Sequence, residues 1–186
     1  MTYRPLAPWQ VLERRTLVER HWLVLHEDRV KLANGREISE FHVLVQPSWA
    51  GILCVTEADE IVLVRQYRHG IVGNSLELPA GVVEGSEGPL AGAQRELREE
   101  TGYTAERWAE IGTFACDPAR QTAHAHFYCA LGATAGMTRE LDESEDIEVV
   151  RVPRAELFGL IESGQIKHGQ HIAAILLAAR RGLVVL

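Results

Sequence analysis

Three glutamates near the middle of the chain could together bind a divalent cation. Glu96, Glu99 and Glu100 occur in the order REL-R-EE. If this segment is helical, the spacing places them on one face with Cβ atoms roughly 5–6 Å apart, where like charges repel one another. A hard cation would offset this repulsion, and Mg²⁺ in particular is usually held by a few carboxylates together with substrate phosphate. The alternative is a charged helix face that simply points into water.

A short helix that follows a glycine-rich loop is predicted to carry these carboxylates. Pro89 suits the first helical position, where no amide donor is needed, and Gly102 suits a left-handed cap at the other end. The apolar side of the helix is formed by residues that recur at helical spacing, Leu90, Ala93 and Leu97. The carboxylates are therefore expected on the opposite face. Residues 78–85 contain a proline and two glycines and predict tight turns before the helix.

The whole segment from Gly81 to Tyr103 resembles the Nudix box, the signature of the Nudix hydrolases. Its spacing is G-x5-E-x7-RE-L-x-EE-x-G, and the fixed positions are filled by Gly81, Glu87, Arg95, Glu96, Glu99, Glu100 and Gly102. Tyr103 fills the last apolar position, where an aliphatic residue is commoner. The resemblance implies an α/β protein with the Nudix fold, a mixed β-sheet sandwiched between helices (α/β/α), and an N-terminal antiparallel β-sheet.

The same resemblance assigns roles to the metal-binding residues. It implies that Mg²⁺, with Mn²⁺ as a substitute, is held by the Ala80 carbonyl and by Glu96, Glu99 and Glu100. Glu99 is also counted among the catalytic residues. We predict that Arg95 pairs with a carboxylate such as Glu87 and positions the helix rather than touching substrate.

A catalytic base is expected from the acidic run that precedes the sequence I-E-V. In this branch of the family a loop in that place ends with an acidic residue that takes the proton of the attacking water. Glu145 is the first candidate and Glu143 the second. The alternative is a solvated acidic loop.

Substrate contacts are expected from residues outside the box. The sequences VRQYRHG and ELPAG resemble the nucleotide-sugar branch of the family, in which the second arginine contacts substrate. The expected contacts are Arg65, Arg68, Arg120 and Trp22, three for phosphate and the tryptophan for base stacking. Ordinary surface charge for Arg65 and Arg68, and core packing for Trp22, are the alternatives. Glu77 is a candidate to bind or orient a neighbour, although the absence of a direct role is the favoured interpretation.

A proline is expected about fifteen residues beyond the box in ADP-ribose pyrophosphatases, and Pro118 stands there. The residues around it, DPARQTAHAHF, depart from the usual pattern, which leaves the sugar-phosphate end of the substrate open.

These resemblances imply hydrolysis of the diphosphate linkage of ADP-ribose or a related nucleoside diphosphate sugar, giving a nucleoside monophosphate and a sugar phosphate. Two alternatives remain: a house-cleaning nucleoside triphosphate pyrophosphohydrolase, and a non-catalytic nucleotide-binding Nudix module. The QYR and LPAG context counts against the first alternative. The complete set of box glutamates counts against the second.

Two regions are expected along the chain. Residues 1–46 contain short apolar runs and an Asn34-Gly35 hairpin signal, and predict an antiparallel sheet that is marginal alone. Residues 47–186 are expected to form the catalytic domain, with strands at 52–55, 61–67, 108–114, 125–131 and 147–152, a loop at 133–138 and helices at 153–162 and 170–181. The resemblance implies a homodimer that exchanges the N-terminal sheet.

Composition limits the classes of partner. The chain has 186 residues, 46% of them hydrophobic, three cysteines without close pairs and a net charge of −7. We expect free thiols, a cytoplasmic enzyme, and neither nucleic-acid nor membrane binding. His124 and His126 are expected as surface or core residues rather than zinc ligands, and His168 and His171 as capping or packing residues.

Overall fold

Two units of the chain are distinguished in the computed structural model, which describes residues 6–141 and 146–185. The first unit comprises the chain up to Pro47 together with Ala115–Ala123, and the second comprises Ser48–Phe114 and the chain from His124 onward. The segment 115–123 belongs to the first unit because its backbone bonds that of Leu44. Arg120 O accepts from Leu44 N at 2.8 Å, and Thr122 N donates to Leu44 O at 3.0 Å.

The first unit is built on a three-stranded antiparallel sheet with the order β1-β2-β3. The strands are β1 (Gln10–Arg20), β2 (Leu23–Lys31) and β3 (Glu37–Val45). The predicted turn at Asn34-Gly35 is present, with Gly35 at φ +85°, where glycine carries no steric cost. Strand β2 continues without a break from Leu23 to Lys31, so the apolar residues around Val24 and Val30 belong to one strand.

The second unit contains a mixed sheet, eight-stranded within the described residues, in which β11-β5-β4-β10-β8 form the main path. Its strands are β4 (Trp49–Thr56), β5 (Glu60–Arg68), β6 (Gly73–Glu77), β7 (Ala80–Val82), β8 (Tyr103–Thr104), β9 (Arg107–Ala115), β10 (His124–Ala135) and β11 (Glu148–Pro153). β4 and β10 run parallel, whereas β4 pairs antiparallel with β5 and with β7. β10 continues to Ala135, so the loop predicted at 133–138 was placed two to three residues too early.

Three α-helices lie in the described part of the second unit: α1 (Pro89–Thr101), α2 (Leu157–Glu162) and α3 (Gly169–Arg180). Short 3₁₀ turns cover His69–Ile71 and Arg154–Glu156. None of the described helices has the length and apolar character needed to cross a membrane.

Helix α1 begins and ends as its sequence predicts. Pro89 occupies the first turn, and Gly102 adopts φ +74° and donates its N–H to Arg98 O. Ala93 and Leu97 are fully buried, but Leu90 is 39% exposed and lies outside the core. The apolar stripe of α1 is therefore narrower than predicted.

The helices cover both faces of the sheet. Along β4, Ala50, Ile52 and Cys54 share a hydrophobic cluster with α1. Trp49, which points the other way, packs its ring against His171 of α3 at 5.5 Å between centroids. This alternation confirms the predicted arrangement of a mixed sheet between helices.

Candidate active site

At Gly81 on β7, the carboxylate of Glu96 from α1 fills the space that a side chain would enter. A Cβ atom added to Gly81 would overlap the carboxylate of Glu96. Gly92 on α1 is close to a second carboxylate, since its Cβ would lie 3.0 Å from Glu87 Oε1. Glycine at these positions therefore lets two box carboxylates lie against the backbone.

Arg95 lies at the centre of the cluster and forms ion pairs with three carboxylates. Its Nη1 donates to Glu96 Oε1 at 2.8 Å and to Glu99 Oε2 at 2.9 Å. Its Nη2 donates to Glu87 Oε1 and to Val82 O, both at 2.8 Å. These bonds tie α1 to β7 and to the loop between them, and the expected pair with Glu87 is present. The bond from Arg95, with one from the Glu84 N–H, lowers the pKa of Glu87.

Glu100 lies under the loop rather than in solvent. It is only 2% exposed, and its Oε2 accepts the N–H of Ala80 at 2.9 Å. Glu96 is 9% exposed. The prediction that the carboxylates lie opposite the buried face is therefore wrong for these two residues. Strand β7 covers the side of α1 next to the apolar stripe, and sequence periodicity does not register that contact.

The residues predicted to bind a metal fit one by donor chemistry. Ala80, Glu96 and Glu100 meet where β7 crosses α1, and they offer the hard oxygen donors that Mg²⁺ takes. Glu99 is turned toward two arginines, Arg95 and Arg98, the latter at 2.9 Å from its Oε1. Within the described residues, no three Asp, Glu, His or Cys side chains are grouped to hold a metal ion. Arg95 occupies the position between Glu96 and Glu99 that a cation would share.

Arg68 is anchored by a buried carboxylate. Its Nε and Nη2 bond the two oxygens of Glu77 at 2.6–3.2 Å, and the Glu77 side chain is 2% exposed. The guanidinium is held in one orientation while its side chain stays 44% exposed. Glu77 thus orients a neighbour, which is the role that the sequence favoured less.

Arg65 forms a pair with Glu148 across β5 and β11 at 2.9 Å, and both side chains are about half exposed. This is the pattern of an ordinary surface pair. Glu143 and Glu145, the candidate bases, lie outside the described residues.

Comparisons with known proteins identify the family of the chain. The NUDIX domain family model matches residues 45–175, well over half of the chain. This chain belongs to the Nudix family. A second model, the nucleoside diphosphate sugar hydrolase N-terminal domain, matches residues 9–44.

Among relatives of this Nudix protein, the ADP-ribose pyrophosphatase of Bacillus subtilis is 34% identical over 152 residues, covering 81% of this chain and 82% of the relative. The GDP-mannose pyrophosphatase of Pectobacterium atrosepticum is 30% identical over 199 aligned positions, covering 95% and 96%. A crystal structure of an ADP compounds hydrolase matches 99% of this chain and 100% of its own with a TM-score of 0.86 at 20% identity, which confirms the predicted Nudix fold.

Two of the predicted substrate contacts lie in the first unit of the Nudix protein. The Arg120 guanidinium lies 5.5 Å from the centroid of the Phe41 ring, at a groove of about 440 Å³ that Trp9 and Pro118 also line. Trp22 lies in the turn between β1 and β2 and is 60% exposed. It contacts only the His21 ring among described aromatic partners, so core packing is not its role in this chain.

A residue of this Nudix protein that sequence reasoning undervalued is His171. It is 1% exposed, and its Nδ1 accepts the N–H of Leu78 at 3.1 Å, so it does more than pack or cap. The only sign in the sequence that His171 is buried was its position on the apolar face of a helix. His126 bonds Thr113 Oγ1 at 3.0 Å, and burial lowers its pKa. Within the described residues neither His126 nor His124 joins a group of ligands.

Proposed function

We propose that this Nudix hydrolase cleaves the diphosphate linkage of ADP-ribose or a related nucleoside diphosphate sugar to a nucleoside monophosphate and a sugar phosphate. The observation that carries the proposal is the carboxylate cluster closed around Gly81, where Glu96 and Glu100 lie against β7. The match of residues 9–44 to a nucleoside diphosphate sugar hydrolase domain, and two relatives named as pyrophosphatases of ADP-ribose and GDP-mannose, support this substrate class.

Mg²⁺ is the proposed cofactor, with Mn²⁺ as a substitute, held by the Ala80 carbonyl, Glu96, Glu99 and Glu100. When bound, the cation would supply charge neutralisation of the diphosphate and lower the pKa of a water molecule. Two of these carboxylates already bond Arg95, Glu96 through Oε1 and Glu99 through Oε2. The metal therefore competes with, or shares, the contacts of that arginine.

The chain's own residues have three further tasks in this proposal. Glu145, or failing that Glu143, takes the proton of the attacking water. Arg68, held in place by Glu77, donates to a phosphate oxygen with a guanidinium that matches its geometry. Arg65, Arg120 and Trp22 are the remaining proposed substrate contacts.

We further propose a cytoplasmic homodimer in which residues 1–46 are exchanged between subunits and residues 47–186 form the catalytic domain, without nucleic-acid or membrane partners. Trp9 and Val11 on the small sheet are about half exposed, and Trp22 more so, which supports a covering partner. Light scattering coupled to size-exclusion chromatography would give the mass of one chain if this proposal is wrong.

The deciding experiment is a substrate panel at fixed Mg²⁺. ADP-ribose, GDP-mannose and other nucleotide sugars are assayed for release of nucleoside monophosphate, beside nucleoside triphosphates assayed for phosphate and pyrophosphate. Preference for triphosphates would favour the house-cleaning alternative, and binding without turnover would favour the non-catalytic module. Glu100→Gln and Glu99→Gln should lower turnover by orders of magnitude, and Glu60→Gln, in a surface pair with Arg151 outside the box, is a matched control that should not.

The base is tested separately. Glu145→Gln should lower kcat with little change in KM, since a base acts on the water and not on substrate binding. Glu143→Gln is the matched comparison in the same acidic run. If only Glu143→Gln lowers kcat, the two assignments exchange; if neither does, the base lies elsewhere.

A further inference from the structure

Residues 77–80, which lead into the metal site, are each held by a hydrogen bond. Four consecutive residues each form a hydrogen bond with a partner elsewhere in the chain. Glu77 and Pro79 accept, from Arg68 Nη2 and Ile52 N, and Leu78 N and Ala80 N donate, to His171 Nδ1 and Glu100 Oε2. Three of these partners belong to the sheet or to the box helix. The exception is His171, which reaches the loop from α3, on the other face of the sheet.

The ring of His171 is held by its neighbours on several sides. It stacks on His168 at 4.1 Å between centroids with an angle of 20°. Phe127 at 5.6 Å and Trp49 at 5.5 Å meet it at steep angles. A ring packed in this way cannot rotate without displacing aromatic neighbours, so its Nδ1 stays aimed at the Leu78 peptide.

The hydrogen bond also defines the chemical state of the imidazole. Nδ1 accepts from a peptide N–H, so it carries no proton, and the neutral ring has its proton on Nε2. Burial lowers the pKa of His171 well below its ordinary value, with His168 and Arg68 contributing, which agrees with a neutral ring. His171 is therefore a fixed hydrogen-bond acceptor with no charge.

The link from Leu78 to the metal site is short and stiff. Pro79 has its φ fixed by the pyrrolidine ring, and a residue before proline is confined to the extended region. Few torsions remain between the Leu78 N–H and the Ala80 peptide. Ala80 in turn donates its N–H to Glu100 and offers the carbonyl that was predicted as a ligand.

We infer that His171 is a positioning residue of the metal site, which acts by holding the Leu78 peptide and thereby the Ala80 carbonyl and the Ala80–Glu100 hydrogen bond. The inference rests on the proposed function, because it takes Ala80 and Glu100 as metal ligands. Residues that orient metal ligands from outside typically change metal affinity 10- to 100-fold when replaced. A packing residue would change stability without such an effect.

The test uses two polar replacements that differ in where they place an acceptor. His171→Asn puts a side-chain oxygen at the position of Nδ1, whereas His171→Gln extends past it. Mn²⁺ affinity is measured by electron paramagnetic resonance, and exchange of the Leu78 amide by hydrogen–deuterium exchange, neither of which needs turnover. His168→Leu is the packing control, since it removes the stacked ring and leaves the Leu78 bond intact.

We expect His171→Asn to bind Mn²⁺ like the wild type, and His171→Gln to bind about tenfold more weakly with faster exchange of the Leu78 amide. His168→Leu should lower the melting temperature and leave Mn²⁺ affinity unchanged. Equal affinities for His171→Asn and His171→Gln, or a loss in His168→Leu as large as in His171→Gln, would overturn the inference.

Failure of the proposed function gives a different result. A wild type that binds Mn²⁺ but hydrolyses no nucleotide sugar would refute the substrate class. The Mn²⁺ affinities of the His171 variants would still show whether His171 positions the metal ligands. A wild type that binds no Mn²⁺ would refute both.

Discussion

Replacing Arg95 by methionine should destabilise the metal-free protein more than any other single change in the box. Methionine keeps much of the aliphatic stem and removes the guanidinium. The change deletes bonds of 2.8–2.9 Å to Glu87, Glu96, Glu99 and the Val82 carbonyl. Three carboxylates then lie together without the positive charge that now separates them.

The magnitude follows from the burial of these groups. The side chains of Arg95 and Glu87 are both 21% exposed, and that of Glu96 is 11% exposed, so solvent screens them incompletely. Removing one partner of a buried pair costs about 3–5 kcal/mol. Partial exposure places this site at the lower end, and we expect the free energy of unfolding to fall by about 3 kcal/mol. For a protein of this length that corresponds to a melting temperature about 6–12 °C lower.

The assay is urea unfolding in EDTA, repeated with excess Mg²⁺. Because a bound cation would replace the missing charge, Mg²⁺ should restore more stability to Arg95→Met than it adds to the wild type. Arg98→Met is the matched control, since Arg98 is 38% exposed and pairs with Glu99 at 2.9 Å, a contact expected to contribute under about 1 kcal/mol.

A double-mutant cycle with Glu87→Gln gives the interaction energy directly. We expect a coupling of about 1–3 kcal/mol between Arg95 and Glu87. The reasoning is refuted if Arg95→Met is no less stable than Arg98→Met in EDTA, or if the coupling with Glu87 is zero.

Three further predictions concern other parts of the molecule. Gly81→Ala should displace the Glu96 carboxylate and lower kcat about 100-fold with an unchanged circular dichroism spectrum, and near-normal turnover would contradict the overlap. Burial lowers the pKa of His171 and of His168, so below about pH 6.5 the unfolded chain binds more protons than the folded protein. The free energy of unfolding should therefore fall as the pH drops from about 7 to 5. Replacing both histidines by leucine should flatten this slope in urea titrations, and an unchanged slope would show that other groups cause it. Burial raises the pKa of the Cys129 thiol to about 12, so Ellman's reagent at pH 8 should leave it unmodified until urea unfolds the protein; rapid modification of the native protein would contradict this.

The ends of helix α1 could be predicted because they depend on local backbone chemistry. Pro89 and Gly102 act within one turn of the helix, and the structure has both where the sequence placed them. The box likewise predicted the family, because all seven fixed residue types occur at the expected intervals along the chain. The Asn34-Gly35 turn is another local signal of this kind.

Burial of the carboxylates could not be predicted in the same way. The apolar residues of α1 show which face packs on the sheet, but not that β7 returns to cover an adjacent face. Glu100 is buried because the Ala80 N–H, twenty residues earlier in the chain, needs an acceptor. The bond between Leu78 and His171 joins residues 93 positions apart, and no sequence pattern in either segment indicates it.

Repulsion among Glu96, Glu99 and Glu100 indicated a metal site, but Arg95 was not counted among the positive charges that could offset it. Clustered glutamates do require a positive charge, but Arg95 supplies it to Glu96 and Glu99 from within the same helix. A cation must then displace or share these contacts, so its apparent affinity contains the free energy of releasing Glu96 and Glu99 from the arginine. Removing Arg95 would therefore raise the intrinsic attraction of the carboxylates for a cation while loosening the helix that presents them. We expect the stronger attraction to dominate, so Mg²⁺ should stabilise Arg95→Met more than it stabilises the wild type. The free energy of unfolding of Arg95→Met must therefore be compared with and without Mg²⁺, because activity alone would not separate the two effects.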